Sequence, residues 1–265
     1  MDKIRVVVCG TGFMGSQVLA AISGQEDMEA VGVIEKFASE DSIARPGPAA
    51  GSLPLSADPT ALLDQTRPDI VVDFTNAEWT QVVAPAAVAR GVRVVIGTTN
   101  LSPGLIAELE VACRAGGVGA FIAPNFAIGA VVMTHLGRVA ARFFDYAEVS
   151  EMHQEKKVDS PSGTAITMAR ALVEGHGGPF LRTMPEKEPL AGARGAELEG
   201  VAIHSLRMPG AVAHHEIAFG GLGQTLRIRH DSTGRESFIP GVLLAVREVM
   251  KRRELVIGLE KLVGL

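Results

Sequence analysis

A short apolar segment that leads directly into a glycine-rich turn constrains the fold of this chain more than any other feature. Residues 4–8 read IRVVV, and the run GTGFMG follows at residues 10–15. Apolar side chains at Val18, Leu19 and Ile22 then recur with the spacing of one helix face. A strand, a GxGxxG turn and a helix in this order are typical of a dinucleotide-binding α/β domain. The glycines permit a tight turn, and the helix N-terminus offers N–H groups and a partial positive charge to a pyrophosphate.

A second apolar strand is predicted at residues 28–34, and the acidic residue Glu35 follows it. Glu35 lies 20 residues beyond Gly15, a spacing that places a carboxylate on the adenosine ribose in dinucleotide-binding domains. The acid favours NADH, whereas the adjacent Lys36 could pair with the 2′-phosphate of NADPH. Two alternatives stay open: a glycine-rich turn in an α/β domain that binds no nucleotide, and a Lys36 side chain that is simply solvated.

The remainder of the first half alternates strands and helices. The apolar pattern predicts strands at residues 70–74, 92–96 and 118–122 and helices at residues 79–90 and 103–115. Strands this short and apolar, separated by helices, predict a parallel sheet covered on both faces. Residues 37–59 are rich in Ser, Ala, Pro and Gly and are predicted to form a long loop with little regular structure.

Two loops of this sheet are candidates for further cofactor contacts, because ligands bind beyond the carboxyl ends of parallel strands. The sequence DFT at residues 73–75 follows the third strand, and GTT at residues 97–99 follows the fourth. Their small and hydroxyl side chains can contact nicotinamide or ribose, although ordinary turn chemistry would select the same residue types.

After about residue 128 the pattern changes to that of an α+β domain. Helices are predicted at residues 131–142 and 162–174, and strands at residues 147–153, 201–208, 213–219 and 224–230. The GGLG run at residues 220–223 joins the last two strands as a hairpin, so a mostly antiparallel sheet is expected. Residues 182–200 are predicted to form a second long loop, and Pro240 opens a final helix.

The densest polar stretch of the chain, EMHQEKKVDSPSGTA at residues 151–165, joins a predicted strand to a predicted helix. The sequence SGT at residues 162–164 would present backbone N–H groups and hydroxyls at the helix N-terminus, which suits a carboxylate. Lys157 adds a positive charge, and His153 can supply a proton near neutral pH. Together these groups suit the reduction of an unsaturated anionic substrate by a nicotinamide cofactor, although each residue alone would more often belong to a solvated charged loop.

This polar stretch resembles the E-x-H-H-x-x-K-x-D-A-P-S-G-T-A motif of the 4-hydroxy-tetrahydrodipicolinate reductases, a family of lysine biosynthesis through diaminopimelate. The resemblance extends over essentially the whole chain. Shorter matching runs are VVDFT at residues 71–75, GTT at 97–99, APNF at 123–126, RMPG at 207–210, HHE at 214–216 and IRHD at 228–231.

The resemblance implies an α/β fold with an N-terminal Rossmann dinucleotide-binding domain and an α+β C-terminal domain whose open sheet is mostly antiparallel or mixed. The first domain would span residues 1–127 and be completed by a C-terminal helix at residues 239–265. Residues 128–238 would form the substrate-binding and oligomerisation domain. The resemblance further implies NADH, NADPH or both as hydride donor, a small dicarboxylate as substrate, and a homotetramer.

The family motif also implies roles for individual residues. His153 falls on the family's proposed acid, Lys157 on its cation, and Gly163 and Thr164 on its substrate-carboxylate contact, with Gln154 at a further substrate-binding position. The residues expected to bind the cofactor are Gly10, Gly12, Phe13, Met14, Gly15, Glu35, Lys36, Phe74, Thr75, Gly97, Thr98, Thr99, Pro124, Asn125 and Phe126.

Three departures from the family pattern bear on these expectations. Gln154 stands where the family has a second histidine; it can still donate a hydrogen bond but adds no charge. The turn at residues 10–15 is one residue shorter than usual and carries Phe13 in place of a basic residue, which weakens the case for a strong NADPH preference. Asn100 stands where a glycine often follows Gly-Thr-Thr, and asparagine tolerates left-handed backbone.

Charge and composition argue against other classes of protein. The net charge is −5 and no long basic run occurs, so a nucleic-acid partner is not expected. The chain has no CxxC or HExxH pattern and no uninterrupted apolar span, and residues 4–8 are predicted to form a strand and not the apolar stretch of a signal peptide. We therefore expect no bound metal, no membrane partner and a cytoplasmic location. Cys9 and Cys113 lie in apolar surroundings and are expected to be reduced core residues.

Two alternative functions stay open from the sequence. One is a different nicotinamide-dependent dehydrogenase with a similar two-domain plan, such as an amino-acid dehydrogenase, and Gln154 keeps it open. The other is a non-catalytic nucleotide sensor, although a sensor needs neither His153 as a proton donor nor Lys157 as a cation.

Overall fold

The computed structural model describes residues 2–47 and 51–265. The chain divides into two compact units. The first comprises Met1–Phe126 together with Phe238–Gly264, and the second comprises Ala127–Ser237.

Strands and helices alternate through the first unit and segregate in the second. The strands are β1 (Ile4–Cys9), β2 (Met28–Ile34), β3 (Ser42–Ala44), β4 (Ser52–Ser56), β5 (Ile70–Asp73), β6 (Arg93–Ile96), β7 (Ala120–Ile122), β8 (Tyr146–His153), β9 (Ala196–Leu198), β10 (Val201–Arg207), β11 (Ala213–Gly221), β12 (Gln224–Ser232) and β13 (Leu255–Ile257). The α-helices are α1 (Phe13–Ser23), α2 (Pro59–Thr66), α3 (Ala77–Val88), α4 (Pro103–Gly116), α5 (Ile128–Ala140), α6 (Gly163–His176), α7 (Ile239–Val249) and α8 (Leu259–Val263).

The first unit is built on one sheet with the strand order β13-β7-β6-β5-β1-β2-β4-β3. All neighbouring strands pair in parallel except β3 and β4, which pair antiparallel. The central strands are buried on both faces, as the consecutive residues Val6, Val7 and Val8 of β1 illustrate, because helices cover the sheet on each side. The predicted Rossmann-type parallel sheet is confirmed.

Residues 37–59 contradict the prediction of a long loop, because β3 and β4 form within them. Strand β4 extends the parallel sheet beside β2, and its residue Leu53 is buried. Both strands are short and lie at the sheet edge, where a proline such as Pro54 is tolerated, so their sequences carry few strand signals. Residues 48–50 of the same prediction lie outside the described residues.

Helix α2 was also not predicted, although Asp58 caps its N-terminus by accepting a hydrogen bond from Ala61 N at 3.1 Å and Pro59 occupies its first turn. Both features are common helix-start signals. The helix has eight residues, too few to display a clear apolar period.

The predicted single helix at residues 239–265 is wrong. Helix α7 ends at Val249, β13 then pairs in parallel with β7 and becomes the edge strand, and α8 closes the unit. Gly258, with φ of +98°, separates the strand from the last helix. The apolar run of β13 has the same composition as a buried helix turn, so periodicity over three residues cannot distinguish the two.

The second unit contains a five-stranded sheet with the order β12-β11-β8-β10-β9. Strands β8 and β10 are parallel, and the other neighbouring pairs are antiparallel, so the mostly antiparallel sheet is confirmed. Helices α5 and α6 pack on this sheet. On β8, Ala147, Val149 and Glu151 are buried while the alternating residues are partly exposed, as expected for a sheet covered on one face. Strand β9 lies inside the predicted loop at residues 182–200, which is therefore not entirely irregular.

Both cysteines are buried and neither forms a disulfide. Among the described residues, no group of three or more His, Cys, Asp or Glu side chains could hold a metal ion. The helices described between residues 2 and 265, outside the gap at 48–50, are all too short or too polar to cross a membrane.

Candidate active site

The glycine-rich turn between β1 and α1 is shaped by close backbone packing. Gly10 adopts φ of +95° and donates its N–H to Ile34 O at 2.8 Å. A Cβ atom on Gly15 would overlap the carbonyl oxygen of Gly10. Only glycine fits both positions. The residue before α1 is Gly12, and no side chain in the described part of the chain caps this helix N-terminus, so the protein does not itself occupy the place where such helices bind phosphate.

Glu35, which follows β2, braces this turn. Its Oε2 accepts hydrogen bonds from Thr11 N and Thr11 Oγ1, both at 2.7 Å. Burial alone would raise the pKa of Glu35, but these two bonds and weaker backbone bonds from residues 36 and 37 lower it. The second oxygen, Oε1, lies 3.5 Å from Phe37 N. Glu35 therefore keeps a negative charge and an accessible acceptor. The role of Thr11 was not predicted, because it occupies a variable position of GxGxxG.

Lys36 forms an ion pair, with its Nζ 2.8 Å from Glu78 Oε1. The same Nζ lies 5.9 Å from the centre of the Trp79 ring and 5.7 Å from that of Phe37. The lysine is thus not simply solvated, and its pairing with a 2′-phosphate stays a prediction.

The loops after β5 and β6 are held together by a buried carboxylate and an aromatic ring. Asp73, 1% exposed, accepts hydrogen bonds from Thr75 N at 2.9 Å, Thr75 Oγ1 at 2.6 Å and Thr80 Oγ1 at 2.7 Å. The ring of Phe74 lies so close to Gly97 that a Cβ there would overlap it. Phe74 also contacts the ring of Phe126, with centroids 5.1 Å apart. These residues therefore meet at the carboxyl edge of the sheet.

The remaining predicted cofactor residues lie at the same turns. Phe13 and Met14 are in the first turn of α1, the former 56% exposed. Thr98 is buried and Thr99 exposed after β6, and Pro124 and Asn125 follow β7. Asn100 has φ of +60°, which confirms that it adopts left-handed backbone in this turn.

The polar segment of the second unit is organised around Glu151, a buried residue near the end of β8 that is 1% exposed. Arg207 of β10 binds it with two parallel hydrogen bonds, both at 2.8 Å. Glu151 also accepts a hydrogen bond from Ser162 N at 3.1 Å, and its Oε2 lies 2.5 Å from Nδ1 of His153. Burial alone would raise the pKa of Glu151, but these bonds outweigh it and lower the pKa to about 2.

His153 is partly buried, with 12% of its side chain exposed. Its Nδ1 is engaged by Glu151, and Nε2 has no protein hydrogen-bond partner among the residues described. The ring packs edge-on against His215 of β11, with centroids 5.3 Å apart. Burial lowers the pKa of His153, as do the charges of Lys157 and Arg207, while Glu151 opposes them. Burial, with the nearby His153 charge, lowers the pKa of His215 to about 4.

Lys157 lies in the loop after β8, with its backbone N–H bonded to Gln154 O at 3.2 Å. Its Nζ is 2.6 Å from Asp159 Oδ1. The hydrogen bond from Lys157 lowers the pKa of Asp159. Gln154 itself is exposed. The structure therefore brings His153 and Lys157 into one loop cluster, where an internal carboxylate already pairs with the lysine.

Helix α6 begins at Gly163 beside this cluster. Ser162 caps the helix, because its Oγ accepts a hydrogen bond from Ala165 N at 3.2 Å. Gly163 is exposed, and a Cβ atom there would meet nothing within 4 Å. A hydrogen bond from the backbone N–H of Gly163 also lowers the pKa of Asp159, so an internal carboxylate already lies at this helix start. No role was predicted for Glu151, Arg207 or His215 from the sequence. The one available signal was that Glu151 and His153, two residues apart on a strand, share a face.

Comparisons with known proteins agree on one family. Residues 4–126 match the sequence profile described as dihydrodipicolinate reductase, N-terminus, and residues 129–263 match that of its C-terminus. A 4-hydroxy-tetrahydrodipicolinate reductase of Dehalococcoides mccartyi is 45% identical over 266 residues and 100% of both chains. One from Moorella thermoacetica is 44% identical over 98% of this chain and 97% of the relative.

A solved structure shows the same likeness. The dipicolinate-bound dihydrodipicolinate reductase from Paenisporosarcina sp. TG-14 is 37% identical, covers 98% of this chain and 99% of its own, and has a TM-score of 0.88. An amine dehydrogenase from Mycobacterium smegmatis, 17% identical with a TM-score of 0.65 over 96% and 94% of the two chains, shares the fold alone. The chain belongs to the dihydrodipicolinate reductase family.

Proposed function

We propose that the chain catalyses the reduction of 4-hydroxy-tetrahydrodipicolinate to tetrahydrodipicolinate with NADH or NADPH, a step of lysine biosynthesis through diaminopimelate. The substrate gains a hydride and a proton, and its hydroxyl group leaves as water. Full-length relatives at 43–45% identity carry this activity in their names. The observation that supports the proposal most directly is the grouping of His153, Lys157 and the start of α6 in one cluster. A proton donor, a cation and an anion-binding helix N-terminus are what this reduction requires.

The first unit is proposed to bind the cofactor, which supplies a hydride when bound. Its turn fits a dinucleotide, because Gly15 leaves no room for a side chain and α1 has no side-chain cap. Glu35 Oε1 is proposed to accept a hydrogen bond from the adenosine ribose while Oε2 holds Thr11. The loops at residues 73–75 and 97–99 complete the site at the carboxyl edge of the sheet.

The second unit is proposed to bind the substrate dicarboxylate. The related Paenisporosarcina enzyme binds dipicolinate, which is a small dicarboxylate. In this chain, the N–H groups of Gly163 and Thr164 at the start of α6 would bind one carboxylate, aided by the charge of Lys157. Lys157 and the Gly163 N–H would both exchange part of their contact with Asp159 for the substrate. Gln154, exposed in the same loop, could donate one further hydrogen bond.

His153 is proposed as the proton donor, acting through Nε2. Because the pKa of His153 is lowered, the free protein holds this side chain mostly neutral at pH 7. A dianionic substrate next to the ring favours the charged imidazolium. Substrate binding and proton uptake at His153 are therefore coupled, and the proton is in place when negative charge develops on the substrate. Lys157 stabilises that charge.

A homotetramer in the cytoplasm is proposed as the working form. The sheet of the second unit leaves large apolar side chains partly exposed on β10 and β12, among them Leu206, 43% exposed, and Leu226, 37% exposed, which suits association through this unit. Light scattering after size exclusion would give a mass near four chains; a monomer at working concentration would contradict the proposal.

The activity is tested with the purified chain and the aldolase product of pyruvate and aspartate semialdehyde. Loss of NADH or NADPH absorbance that depends on this substrate is expected. His153→Ala should lower kcat roughly 100-fold or more while the Kd for NADH stays unchanged, and Lys157→Ala should also lower kcat. Tight NADH binding without turnover would favour a nucleotide sensor, and turnover on amino acids alone would favour a different dehydrogenase. Near-normal turnover in both variants would overturn the assigned roles.

A further inference from the structure

We propose that Glu151 is a positioning residue that selects the tautomer of His153 and at the same time anchors the start of α6. The inference rests on the proposed role of His153 and deepens it. It assigns no contact between Glu151 and substrate, since Glu151 is 1% exposed.

Each oxygen of Glu151 contacts two of the groups named below, and the side chain of Ser205 donates a further hydrogen bond to the carboxylate. Oε2 accepts from Arg207 Nη1 at 2.8 Å and lies 2.5 Å from His153 Nδ1. Oε1 accepts from Arg207 Nη2 at 2.8 Å and from Ser162 N at 3.1 Å. One carboxylate therefore connects the end of β8, the end of β10 and the residue that caps α6. Because every lone pair is used, the group is rigid.

This arrangement determines which nitrogen of His153 reacts. An ionised carboxylate can only accept hydrogen bonds, so Nδ1 of His153 must carry hydrogen. The neutral ring then has its lone pair at Nε2, and Nε2 is the atom that gains and gives up the proton. After the proton is given to the substrate, the ring returns to the same Nδ1–H tautomer without rotating.

The charges around His153 make Glu151 indispensable for the protonated ring. Lys157 in the following loop and Arg207 on β10 disfavour the imidazolium, and His215 on β11 adds no compensating negative charge. Among the described groups that act on His153, Glu151 is the one that favours the charged form. Removing its charge should leave the ring neutral at a pH where the native protein is protonated.

Arg207 supports the positioning role of Glu151. It keeps Glu151 ionised despite burial, and its Nη2 also donates to Asp159 O at 2.8 Å. Asp159 is the residue that pairs with Lys157. The planar guanidinium thus binds both the Glu151 carboxylate, which contacts His153, and the backbone of Asp159, which pairs with Lys157. A lysine ammonium cannot make these contacts with the same geometry.

The test is Glu151→Gln, which keeps the size of the side chain. An amide has one oxygen, so it cannot accept the two parallel bonds from Arg207 on separate oxygens, and it loses the charge that favours protonated His153. Glu148→Gln is the matched control: Glu148 lies on the same strand and also binds an arginine and a histidine, Arg194 at 2.5 Å and His204 at 2.9 Å.

Histidine labelled with nitrogen-15 gives a readout that does not depend on turnover. The His153 signals are assigned by their absence in His153→Ala. In the native protein the neutral ring should show Nδ1 protonated. In Glu151→Gln the pKa of His153 should fall by about one unit or more and the Nδ1–H tautomer should lose its predominance. Glu148→Gln should leave both unchanged.

Kinetics supply the second readout. Glu151→Gln should lower kcat roughly 10- to 100-fold, with a smaller change in KM because the amide oxygen can still accept from Ser162 N. The fall of kcat/KM at high pH should move to lower pH. Arg207→Lys should give an intermediate shift with the fold intact, as judged by circular dichroism.

An unchanged tautomer and pKa of His153 in folded Glu151→Gln would overturn the inference, whatever the activity. If His153→Ala keeps its turnover while the Glu151→Gln spectra shift as expected, the proposed proton donor fails but the positioning by Glu151 stands. If Glu151→Gln does not fold, Arg207→Lys decides: native His153 signals and a native pH profile there would overturn the inference.

Discussion

The two units each use a glutamate to brace a turn that leads into a helix, but they use it in opposite ways. Glu35 is partly exposed and commits one oxygen to Thr11, so its other oxygen stays accessible. Glu151 is buried and commits both oxygens to Arg207, His153 and Ser162. A carboxylate with one oxygen free of strong hydrogen bonds can both stabilise a loop and bind a ligand. A carboxylate whose two oxygens are both committed to the protein can only stabilise the structure around it. The nucleotide turn is shaped mainly by backbone, and the polar cluster by side chains.

The largest expected effect comes from Gly15→Ala. Its Cβ would overlap Gly10 O, so the whole turn must move. We expect the Kd for NADH, measured by calorimetry, to rise at least about 100-fold, together with a lower Tm. Gly104→Ala is the control: it lies in the first turn of α4, with its nearest contact 3.9 Å from the new Cβ. Native affinity in Gly15→Ala would mean that backbone packing does not shape this site.

Acid stability should show how strongly the second unit depends on a side-chain charge. The pKa of Glu151 is about 2 in the folded protein and 4.5 ordinarily. A depressed pKa stabilises the fold fully above the unfolded value, and this stabilisation, about 3 kcal/mol, is lost as the pH falls from 4.5 towards 2. Other carboxylates with lowered pKa values, such as Glu35 and Asp159, also contribute to this loss. Urea unfolding across this range should therefore show a loss that is about 3 kcal/mol smaller in Glu151→Gln than in the native protein or in Glu110→Gln, a surface control. A parallel acid response in Glu151→Gln would contradict the assignment.

Glu35→Gln should separate the contact of Glu35 with Thr11 from its proposed contact with the adenosine ribose. The amide loses the charge-assisted bond to Thr11 and the negative charge proposed for the ribose, so the Kd for NADH should rise roughly 10-fold. The Kd for NADPH should rise less, because a 2′-phosphate gains from the missing charge. Fluorescence titration with both cofactors measures the difference. Equal losses would show that Glu35 only braces the turn.

The smallest expected effect is that of Glu78→Gln. Lys36 pairs with Glu78 on the surface, with the glutamate 81% exposed. Releasing the lysine should tighten NADPH binding a few-fold at low salt, roughly the strength of an exposed ion pair, and the gain should vanish at high salt. Asp64→Asn, which breaks the Arg90 ion pair in the same unit, is the control. If NADPH affinity does not change, Glu78 does not compete for Lys36.

Local motifs were predicted well because their signals lie within a few consecutive residues. The strand at residues 28–34 matches β2 residue for residue, and the left-handed Asn100 follows from its side chain alone. His153, Lys157 and the start of α6 were candidates together because they are close in sequence. Strands β3, β4 and β13 were missed because short edge strands have no period that distinguishes them from loop or helix.

The contacts around Glu151 could not be predicted from the sequence, because they depend on the register of β8, β10 and β11. Arg207 pairs with His153 across β10 and β8, and His215 pairs with Glu151 across β11 and β8. The partners are more than 50 residues apart, and a slip of one residue would turn each side chain to the other face. Thr11 is a variable position of its motif, so its two bonds to Glu35 were likewise visible only in the structure.

The return of the chain to the first unit affects the order in which the two units can fold during synthesis. Strand β13 pairs with β7, and Arg247 of α7 binds Asp27 at 2.8 Å, so residues from both sides of the second unit complete one sheet and its covering helices. On the ribosome, residues 127–237 emerge before this sheet can be finished. The edge of β7 therefore stays uncovered through much of synthesis, while the intervening unit, contiguous in sequence, can fold first.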